Sequence, residues 1–420
     1  MKKLLSVLCA FSIFASCIFS ASADETFEQH NYSGENSKHL VTEYYSDNIL
    51  NDYDEGELVA TDAPVTDKID VDAKSVVLME QSTGKILYES NADEQVNPAS
   101  ITKIMSLLLF AEAIESGKLS LDEKVSCSEH AASMGGSQIW LKPNEQMTVN
   151  DLLKAVAVGS ANDATCDLAE AVAGSEEGFV AMMNQRAKQL GMKSTTFKNC
   201  SGLDAEGHVT TARDVAIMSR AVLGHKIIYN YTKIWMDSLR NGATQLVNTN
   251  KLVRFYKGAT GLKTGTTNKA GCCLSASAMR DGLHLIAVVM GSSSSDNRFK
   301  SARKLLDYGF ANYSFHTVKL SLDKNKSIPV LKGTSTSLKL KTAKDISFLV
   351  SKGQGDSIKT SVKIPETVTA PVKKGDVIGR IELTLDGKTI GKAEITAAEN
   401  VDSMNFGAAL SRILKSVFSM

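Results

Sequence analysis

The sequence predicts an α+β protein: an antiparallel sheet flanked by a helical cluster, then a small all-β domain and a C-terminal amphipathic helix. One observation is the run from Ala99 to about Ser116, which is apolar on nearly all sides, as in a helix buried in a core. A second is the pair of apolar β-prone runs 271–279 and 283–290, joined by a short turn. The third is the change beyond residue 312 to short β-prone segments separated by turn residues.

The N-terminus has the three parts of a secretory signal peptide, predicted over residues 1–23. Lys2-Lys3 is positive, Leu4 to Phe19 is apolar, and Ala21-Ser22-Ala23 offers small residues for cleavage. We therefore expect an exported, extracytoplasmic protein whose mature chain begins near Asp24. The alternative is a lipoprotein modified at Cys17.

Residues 24–65 are acidic and lack a hydrophobic period, so we expect a flexible segment there. Residues 24–73 hold 14 Asp and Glu against 2 Lys, whereas residues 316–397 hold 15 Lys and Arg against 8 Asp and Glu. Neither block is dense or aromatic enough for a nucleic-acid surface, and the 420-residue chain has no formal net charge. The sequence predicts no nucleic-acid partner.

The first domain, predicted over residues 66–312, should open with a β-hairpin. Lys74–Glu80 has the composition of a buried strand, Ser82-Thr83-Gly84 that of a turn, and Lys85–Glu89 that of the partner strand. The buried helix from Ala99 follows. It would place Ser100 in its first turn, where free backbone N–H groups and the positive end of the helix dipole lie.

Turn and capping residues divide the next part of the chain into helices. Gly159-Ser160 interrupts one helix and Asn162 begins the next, so Ser160-Ala161-Asn162 is predicted to form a turn between two helices. Thr211 and Asp214 fit a capping box. The helices predicted here and at the end of the domain cover residues 148–158, 162–173, 177–191, 211–222 and 297–308.

The β runs near the end of the first domain and those after it differ in character. Both faces of 283–290 are apolar, as in a sheet covered on both sides. Residues 313–397 instead contain short β-prone runs and an Asp386-Gly387 hairpin turn, which predicts a separate small β domain.

The last segment, residues 398–420, is predicted to be an amphipathic helix. Its apolar residues follow a helical period: Phe406, Leu410, Ile413, Leu414 and Val417. The segment is too short and too charged to cross a bilayer but suits the membrane interface. We expect it to anchor the protein to the outer face of the cytoplasmic membrane. The alternative is a helix packed on the β domain.

Cysteine and histidine spacing gives no sign of a metal site or a cofactor. Five cysteines remain after removal of the signal peptide, without C-x-x-C spacing, and the seven histidines are scattered. Buried free thiols are the default expectation, and one disulfide is a further option. The cysteines are Cys127, Cys166, Cys200, Cys272 and Cys273.

A serine and a lysine three residues apart, Ser100 and Lys103, form the first candidate for chemistry. Residues i and i+3 share one helix face, and a desolvated amine can act as the base for a serine hydroxyl. The spacing alone is weak, since Ser82/Lys85 shares it. Ser160-x-Asn162 and Lys263-Thr264-Gly265 follow in chain order, however, one at an inter-helix turn and the other before a β-hairpin.

These three motifs in this order resemble those of the low-molecular-mass penicillin-binding proteins that are D-alanyl-D-alanine carboxypeptidases. The resemblance covers roughly residues 65–420. It implies a β-lactamase/transpeptidase-like catalytic domain, a C-terminal β domain and a C-terminal anchor. The implied substrate is a peptidoglycan stem peptide ending in D-Ala-D-Ala, and β-lactam antibiotics would acylate the same serine.

The resemblance also implies roles for individual residues. Ser100 would be the nucleophile, and Lys103 the base, with its pKa lowered by burial and by Lys263. Ser160 would carry a proton to the leaving amine, and Asn162 would hold the substrate amide or Lys103.

The residues expected to bind substrate lie on and behind the Lys-Thr-Gly strand. Lys263 and Thr264 would bind the terminal carboxylate, and Gly265 would leave room for the substrate. The backbone N–H groups of Ser100 and Thr266 would form the oxyanion hole. Arg298 aligns with an arginine that the family uses near the carboxylate.

Three other functions share part of this pattern. A class A β-lactamase would need a glutamate in an E-x-x-L-N loop, which residues 164–263 lack. A penicillin sensor would bind the drug without turnover, and an endopeptidase or transpeptidase would share the acylation step. A Walker A phosphate loop is excluded at Gly258–Thr264, because the glycine and lysine spacing is wrong.

Overall fold

The computed structural model describes residues 57–60, 68–320, 322, 326–407, 409–410, 414 and 418. The predicted signal peptide and nearly all of the acidic segment lie outside these residues. The strands are β1 Glu57–Ala60, β2 Ser75–Glu80, β3 Ile86–Ser90, β4 Lys124–Ser126, β5 Gln146–Thr148, β6 Met236–Leu239, β7 Thr244–Val247, β8 Ala259–Thr267, β9 Gly271–Arg280, β10 Leu283–Ser292, β11 Tyr313–Val318, β12 Ser327–Leu331, β13 Ser337–Thr342, β14 Ile346–Ser351, β15 Lys359–Lys363, β16 Val368–Thr369, β17 Val377–Leu385 and β18 Lys388–Ala397. The α-helices are α1 Lys103–Glu115, α2 Glu129–Ala132, α3 Val149–Lys154, α4 Asn162–Ala173, α5 Glu176–Gln189, α6 Ala212–Val222, α7 Tyr229–Thr232, α8 Leu252–Phe255 and α9 Ser295–Asn312.

A five-stranded antiparallel sheet, in the order β3-β2-β10-β9-β8, forms the centre of the first domain. Successive residues of β10 point to opposite faces and enter two different cores. Ile286 and Val288 pack in the core that contains α1 and α4, whereas Leu285 and Ala287 pack in the core that contains α9. The predicted α+β class and the doubly covered sheet are confirmed.

The buried helix begins later than its hydrophobic pattern predicts. Ala99 to Thr102 form a 3₁₀ turn, and the α-helix α1 starts at Lys103. Ala99 has φ 48°, in the left-handed region, so an α-helix cannot extend through it. Ser100 therefore lies in a tight turn that leads into α1.

The Ser160-Ala161-Asn162 segment is a turn between helices, as predicted. The Thr148 side chain caps α3 by accepting from the Asp151 N–H, and a wider π-helical turn, Ala155–Gly159, follows α3. Ser160 has φ 62°, and α4 begins at Asn162. The left-handed residue reverses the chain and brings the start of α4 towards α1.

The second domain is all-β, as expected. Among the described residues it contains a three-stranded sheet, β1-β14-β11, and a six-stranded sheet, β15-β17-β18-β13-β12-β16. One correction concerns the segment expected to be flexible: Glu57–Ala60 is strand β1, which pairs in parallel with β14. β1 pairs with backbone groups at the edge of β14 that would otherwise be unpaired, and Val59 packs against the core of this domain.

The predicted C-terminal helix also begins later than expected. Val401 and Ser403 form β-bridges to the second domain, so they belong to that domain rather than to the helix. Residues 406, 407, 409, 410, 414 and 418 are helical. Of the apolar residues that defined the prediction, Ile413 and Val417 lie outside the described residues.

Candidate active site

Ser100 and Lys103 lie next to each other at the start of α1, between the five-stranded sheet and the helical cluster. The Lys103 Nζ lies 3.1 Å from the Ser100 Oγ. It also donates to the Asn162 Oδ1 at 2.5 Å and to the Ser201 carbonyl at 2.7 Å. Lys103 is fully buried, whereas Ser100 is half-buried. Asn162 and Ser201 therefore hold the Lys103 amine beside the half-buried Ser100 hydroxyl.

Burial prepares Lys103 to accept a proton. It lowers the pKa of Lys103 to about 7, although Cys200 and Asp163 act in the opposite direction. A large fraction of the amine is then neutral near physiological pH. A neutral amine within hydrogen-bond distance of a serine hydroxyl is the arrangement that general-base activation requires.

Lys263 lies on β8 and is likewise buried. Its Nζ donates to the Thr264 carbonyl at 2.9 Å. Burial holds the pKa of Lys263 well below its usual value, and the nearby charges of Lys103 and Arg298 lower it further. We expected Lys263 to keep Lys103 neutral. In the structure burial is the main cause of the lowered pKa of Lys103.

Strand β8 is pressed directly against the turn that carries Ser100. A Cβ atom at Gly265 would lie 3.0 Å from the backbone nitrogens of Ser100 and Ile101. We expected Gly265 to make room for substrate. The structure gives a different reason for the glycine, since any side chain would separate the Lys-Thr-Gly strand from the turn that carries Ser100.

The neighbouring threonines are held by local hydrogen bonds. The Thr264 hydroxyl donates to the Thr249 hydroxyl at 2.7 Å, and the Thr266 hydroxyl donates to the Gly265 carbonyl at 2.8 Å. Thr264 is buried and Thr266 is exposed. The edge of β8 thus presents fixed polar groups beside Ser100.

Arg298 supports β8 from the first turn of α9. Its Nη1 donates to the Gly265 carbonyl at 3.2 Å, to the Thr266 hydroxyl at 2.9 Å and to the Cys273 carbonyl at 3.3 Å. The side chain is buried, so it is not a surface charge. Its positive charge lies directly behind the Lys-Thr-Gly segment.

Asn162 links the Lys103 amine to a loop from another part of the chain. Its Nδ2 donates to the Gly135 carbonyl at 2.6 Å, and its backbone N–H donates to the Ser137 carbonyl at 2.7 Å. These contacts leave the Oδ1 directed at Lys103. Ser160 lies two residues earlier, buried in the left-handed turn.

Sequence reasoning missed three residues that shape the site. The Ser201 carbonyl is a direct partner of Lys103. Gly202 has φ 91°, and a Cβ there would lie 1.9 Å from the Ala99 carbonyl oxygen, so only glycine fits. The buried Asp163 carboxylate accepts from the backbone N–H groups of Ile139 and Leu141. Its position next to Asn162 is the feature of the sequence that could have indicated a role for Asp163 in the site.

His208 and Asp204 make structural contacts beside the site. The His208 Nε2 lies 3.0 Å from the Thr102 hydroxyl, and burial lowers the pKa of His208 to about 4. The Asp204 carboxylate accepts from the Thr267 hydroxyl at 2.9 Å. Both residues brace the segments around Ser100 and β8.

The fold and the cluster of Ser100, Lys103, Asn162 and Lys263 define a serine acyltransferase of the penicillin-binding class. The profile of the D-alanyl-D-alanine carboxypeptidase family matches residues 59–294. The profile of the C-terminal domain of penicillin-binding protein 5 matches residues 315–403. The chain belongs to the D-alanyl-D-alanine carboxypeptidase family.

Curated relatives extend over most of the chain. The D-alanyl-D-alanine carboxypeptidase DacF of Bacillus subtilis (strain 168) is 42% identical over 357 residues, covering 84% of this chain and 92% of the relative. The D-alanyl-D-alanine carboxypeptidase DacC of Escherichia coli (strain K12) is 36% identical over 344 residues, covering 80% and 86%.

Solved structures agree in fold. Penicillin-binding protein 5 of Haemophilus influenzae superposes with a TM-score of 0.67 at 31% identity, covering 81% of this chain and 100% of that chain. Penicillin-binding protein D2 of Listeria monocytogenes in its ampicillin-bound form gives 0.53 at 33% identity, covering 58% and 100%.

Proposed function

We propose that Ser100 carries the reaction of this serine D-alanyl-D-alanine carboxypeptidase, which removes the terminal D-alanine from peptidoglycan stem pentapeptides through an acyl-enzyme. We further propose that penicillin acylates the same serine. The observation that supports this assignment best is the 3.1 Å separation between the Ser100 Oγ and the Nζ of the buried Lys103.

In the acylation step, the Ser100 Oγ attacks the carbonyl of the penultimate D-alanine while its proton passes to the Lys103 Nζ. The backbone N–H groups of Ser100 and Thr266 receive the oxyanion. When the C–N bond breaks, Ser160 relays the proton from Lys103 to the leaving D-alanine amine, which leaves Lys103 neutral again. Water then attacks the ester, with Lys103 again as base, and releases the shortened peptide.

The terminal carboxylate of the substrate binds beside Lys263 and Thr264, with the charge of Arg298 behind them. An incoming carboxylate raises the pKa of Lys263, because an opposite charge favours the ammonium form. Substrate binding therefore favours the protonated form of Lys263. Substrates without a free carboxylate leave the buried charge of Arg298 uncompensated and bind poorly.

Mass spectrometry tests the assignment on the full mature chain. Incubation with penicillin should give a penicilloyl adduct on the peptide containing Ser100, and incubation with a D-Ala-D-Ala peptide should release D-alanine. Ser100→Ala should lose both. Ser82→Ala is the matched control, because Ser82 has the same spacing to a lysine but lies in a hairpin turn.

The outcomes separate the rival functions. An adduct without release of D-alanine would favour a penicillin sensor or a transpeptidase. Rapid hydrolysis of penicillin would favour a β-lactamase. An adduct on any residue other than Ser100 would contradict the assignment.

We also infer that the C-terminal helix lies on the outer face of the cytoplasmic membrane and that the N-terminal segment exports the protein. Phe406, Leu410, Leu414 and Phe418, each four residues apart, are 85%, 46%, 47% and 85% exposed. Four apolar residues at this spacing form one uncovered stripe. Within the described part of the chain, no helix has the length and apolar character to cross a bilayer.

Sedimentation with anionic phospholipid vesicles tests the membrane inference. Phe406→Glu should reduce binding at least about tenfold, since burial of one such side chain contributes roughly 1.5–3 kcal/mol. Val377→Glu is the matched control, as Val377 is 58% exposed on β17. Equal binding of both variants would contradict the inference. N-terminal sequencing of the protein from the cell envelope should begin near Asp24.

A further inference from the structure

Four side chains from separate parts of the sequence converge behind the active site. Cys166 lies on α4, Glu176 at the start of α5, Cys200 in the loop before Ser201, and His130 on α2. Ligand atoms of Cys166, Glu176 and Cys200 lie within 4.8 Å of one another, and so do those of His130, Cys166 and Glu170. The two groups share Cys166.

Three of the four candidate ligands lie close enough together to share one ion. With Zn–S near 2.3 Å and Zn–N or Zn–O near 2.0–2.2 Å, neighbouring ligand atoms lie about 3.3–3.8 Å apart. Ligand atoms of Cys166, Glu176 and Cys200 lie within 4.8 Å of one another, and the His130 Nε2 is 3.6 Å from a Glu176 carboxylate oxygen. The other ring nitrogen, Nδ1, lies 3.5 Å from the Cys166 Sγ but contacts Glu170, so the Nε2 is the nitrogen available to an ion. Two thiols, an imidazole and a carboxylate are also the groups that Zn²⁺ prefers.

Neighbouring groups orient the ligands His130 and Glu176, and the exposed part of His130 gives an ion a route from solvent. The Glu170 carboxylate lies 2.8 Å from the His130 Nδ1, the contact by which outer carboxylates orient a metal-binding histidine. The Cys200 N–H donates to Glu176 at 2.9 Å and fixes that carboxylate. Cys166 and Cys200 are fully buried, whereas the His130 side chain is 48% exposed. An ion can therefore enter past the imidazole and reach both thiols.

We propose that Cys166, Cys200, Glu176 and the Nε2 of His130 bind one structural zinc ion, with Glu170 orienting His130 through its Nδ1. On binding, Zn²⁺ forms two Zn–S bonds, and each thiol releases its proton to solvent, so no oxidant is required. Cysteine and histidine spacing in the sequence predicts no metal site, because metal-binding motifs are local and these ligands come from four distant segments.

The zinc ion would fix two of the three partners of Lys103. Cys200 immediately precedes Ser201, whose carbonyl accepts from the Lys103 Nζ at 2.7 Å. Cys166 lies one turn after Asn162 on α4, and the Asn162 Oδ1 accepts from the same amine at 2.5 Å. Joining Cys166 to Cys200 through the metal ties α4 to the Ser201 segment. This positioning effect rests on the proposed function, whereas metal binding does not.

A disulfide between Cys166 and Cys200 is the competing use of the two thiols. It would not explain the carboxylate and imidazole beside them. The cysteines are free in the structure. The zinc site accounts for all four groups, so it is the inference that we test.

Metal binding is measured on the full mature chain after treatment with EDTA and then with Zn²⁺ alone. Elemental analysis should find one zinc per chain, and Co²⁺ in its place should give the visible absorption of tetrahedral thiolate coordination. Cys166→Ser and Cys200→Ser should lose both signals. Cys127→Ser should keep them, since Cys127 is a buried free thiol outside both groups.

Two milder variants guard against misfolding. Glu176→Gln keeps an oxygen acceptor for the Cys200 N–H but replaces the carboxylate, and His130→Gln changes a half-exposed side chain. Each should weaken zinc affinity by more than the roughly 10–100-fold typical of losing an outer partner. Circular dichroism should match that of the unmodified chain.

Three results would each overturn the zinc site. They are reduced thiols that retain no zinc, a Cys166–Cys200 disulfide in protein from the cell envelope, and an unchanged zinc content in Cys166→Ser.

The positioning effect has its own test. Removal of zinc should slow penicillin acylation of Ser100 by about 10–100-fold, as a misplaced base does. An unchanged acylation rate would overturn the positioning effect. Failure of the proposed function would appear instead as no acylation of the zinc-loaded protein.

Discussion

The ionisation of Lys103 should control the rate at which Ser100 is acylated. Burial lowers the pKa of Lys103 to about 7 from the usual 10.5. Only the neutral amine can accept the serine proton, so the rate should rise with pH. The neutral fraction grows from about 10% at pH 6 to about 90% at pH 8, which predicts a roughly ninefold increase.

The same pKa change makes folding stability depend on pH. Between pH 7 and pH 10.5 the unfolded chain keeps a proton on Lys103 that the folded chain has released. Stability therefore rises with pH in this window, by up to about 1.4 kcal/mol for each pH unit. Below pH 7 Lys103 is protonated in both the folded and the unfolded chain, so the folded chain bears the full free-energy cost of burying the charged amine.

Lys103→Met isolates this contribution, because methionine keeps most of the alkyl chain and cannot titrate. The variant should not be acylated. Relative to it, the unmodified protein should gain about 3 kcal/mol of stability between pH 7 and pH 9.5. Stopped-flow acylation with a fluorescent penicillin and urea unfolding measure the two quantities. A rate that is flat or falls between pH 6 and pH 8 would refute the role of Lys103 as the buried base.

Three further changes probe the framework of the site. Gly265→Ala should slow acylation by about 10–100-fold and destabilise the fold by about 1–3 kcal/mol, because its Cβ would lie 3.0 Å from the Ser100 nitrogen. Gly135→Ala, with no atom within 4 Å of the added Cβ, is its control, and similar rates for the two variants would contradict the steric argument. Arg298→Gln should lower kcat/KM on a D-Ala-D-Ala peptide by about 10–100-fold, since hydrogen bonds from a charged group contribute about 1.5–3 kcal/mol; an unchanged value would exclude a role in holding β8. Thr211→Ala removes the N-cap of α6 and should cost about 1 kcal/mol in urea unfolding without changing acylation. A slower acylation there would show that α6 does more than stabilise the domain.

Most of the fold could be predicted because its signals are local. The apolar period of α1, the capping threonines of α3 and α6, and the double-sided burial of β10 can each be recognised in a short stretch of sequence. The strand Glu57–Ala60 could not, because it has four residues in an acidic segment and is stabilised by the edge of β14.

For the active site, the sequence by itself determined the residue types and their order. Motif order was enough to name Ser100, Lys103, Asn162 and Lys263. Acyl transfer to a serine requires a nucleophile, a base and substrate-binding groups, and each of these motifs belongs to a particular type of helix, turn or strand. Only the tertiary structure decided what surrounds them. The Ser201 carbonyl beside Lys103 and the contact of Gly265 with the Ser100 turn join distant segments.

The charge state of Lys103 and the arrangement of the thiols behind the site were also decided only by the tertiary structure. Whether Lys103 is neutral depends on how completely the folded chain excludes water from its amine. Whether Cys166 and Cys200 can share an ion depends on the convergence of four segments. Desolvation and ligand geometry are properties of the packed chain, so no local pattern of residues carries them.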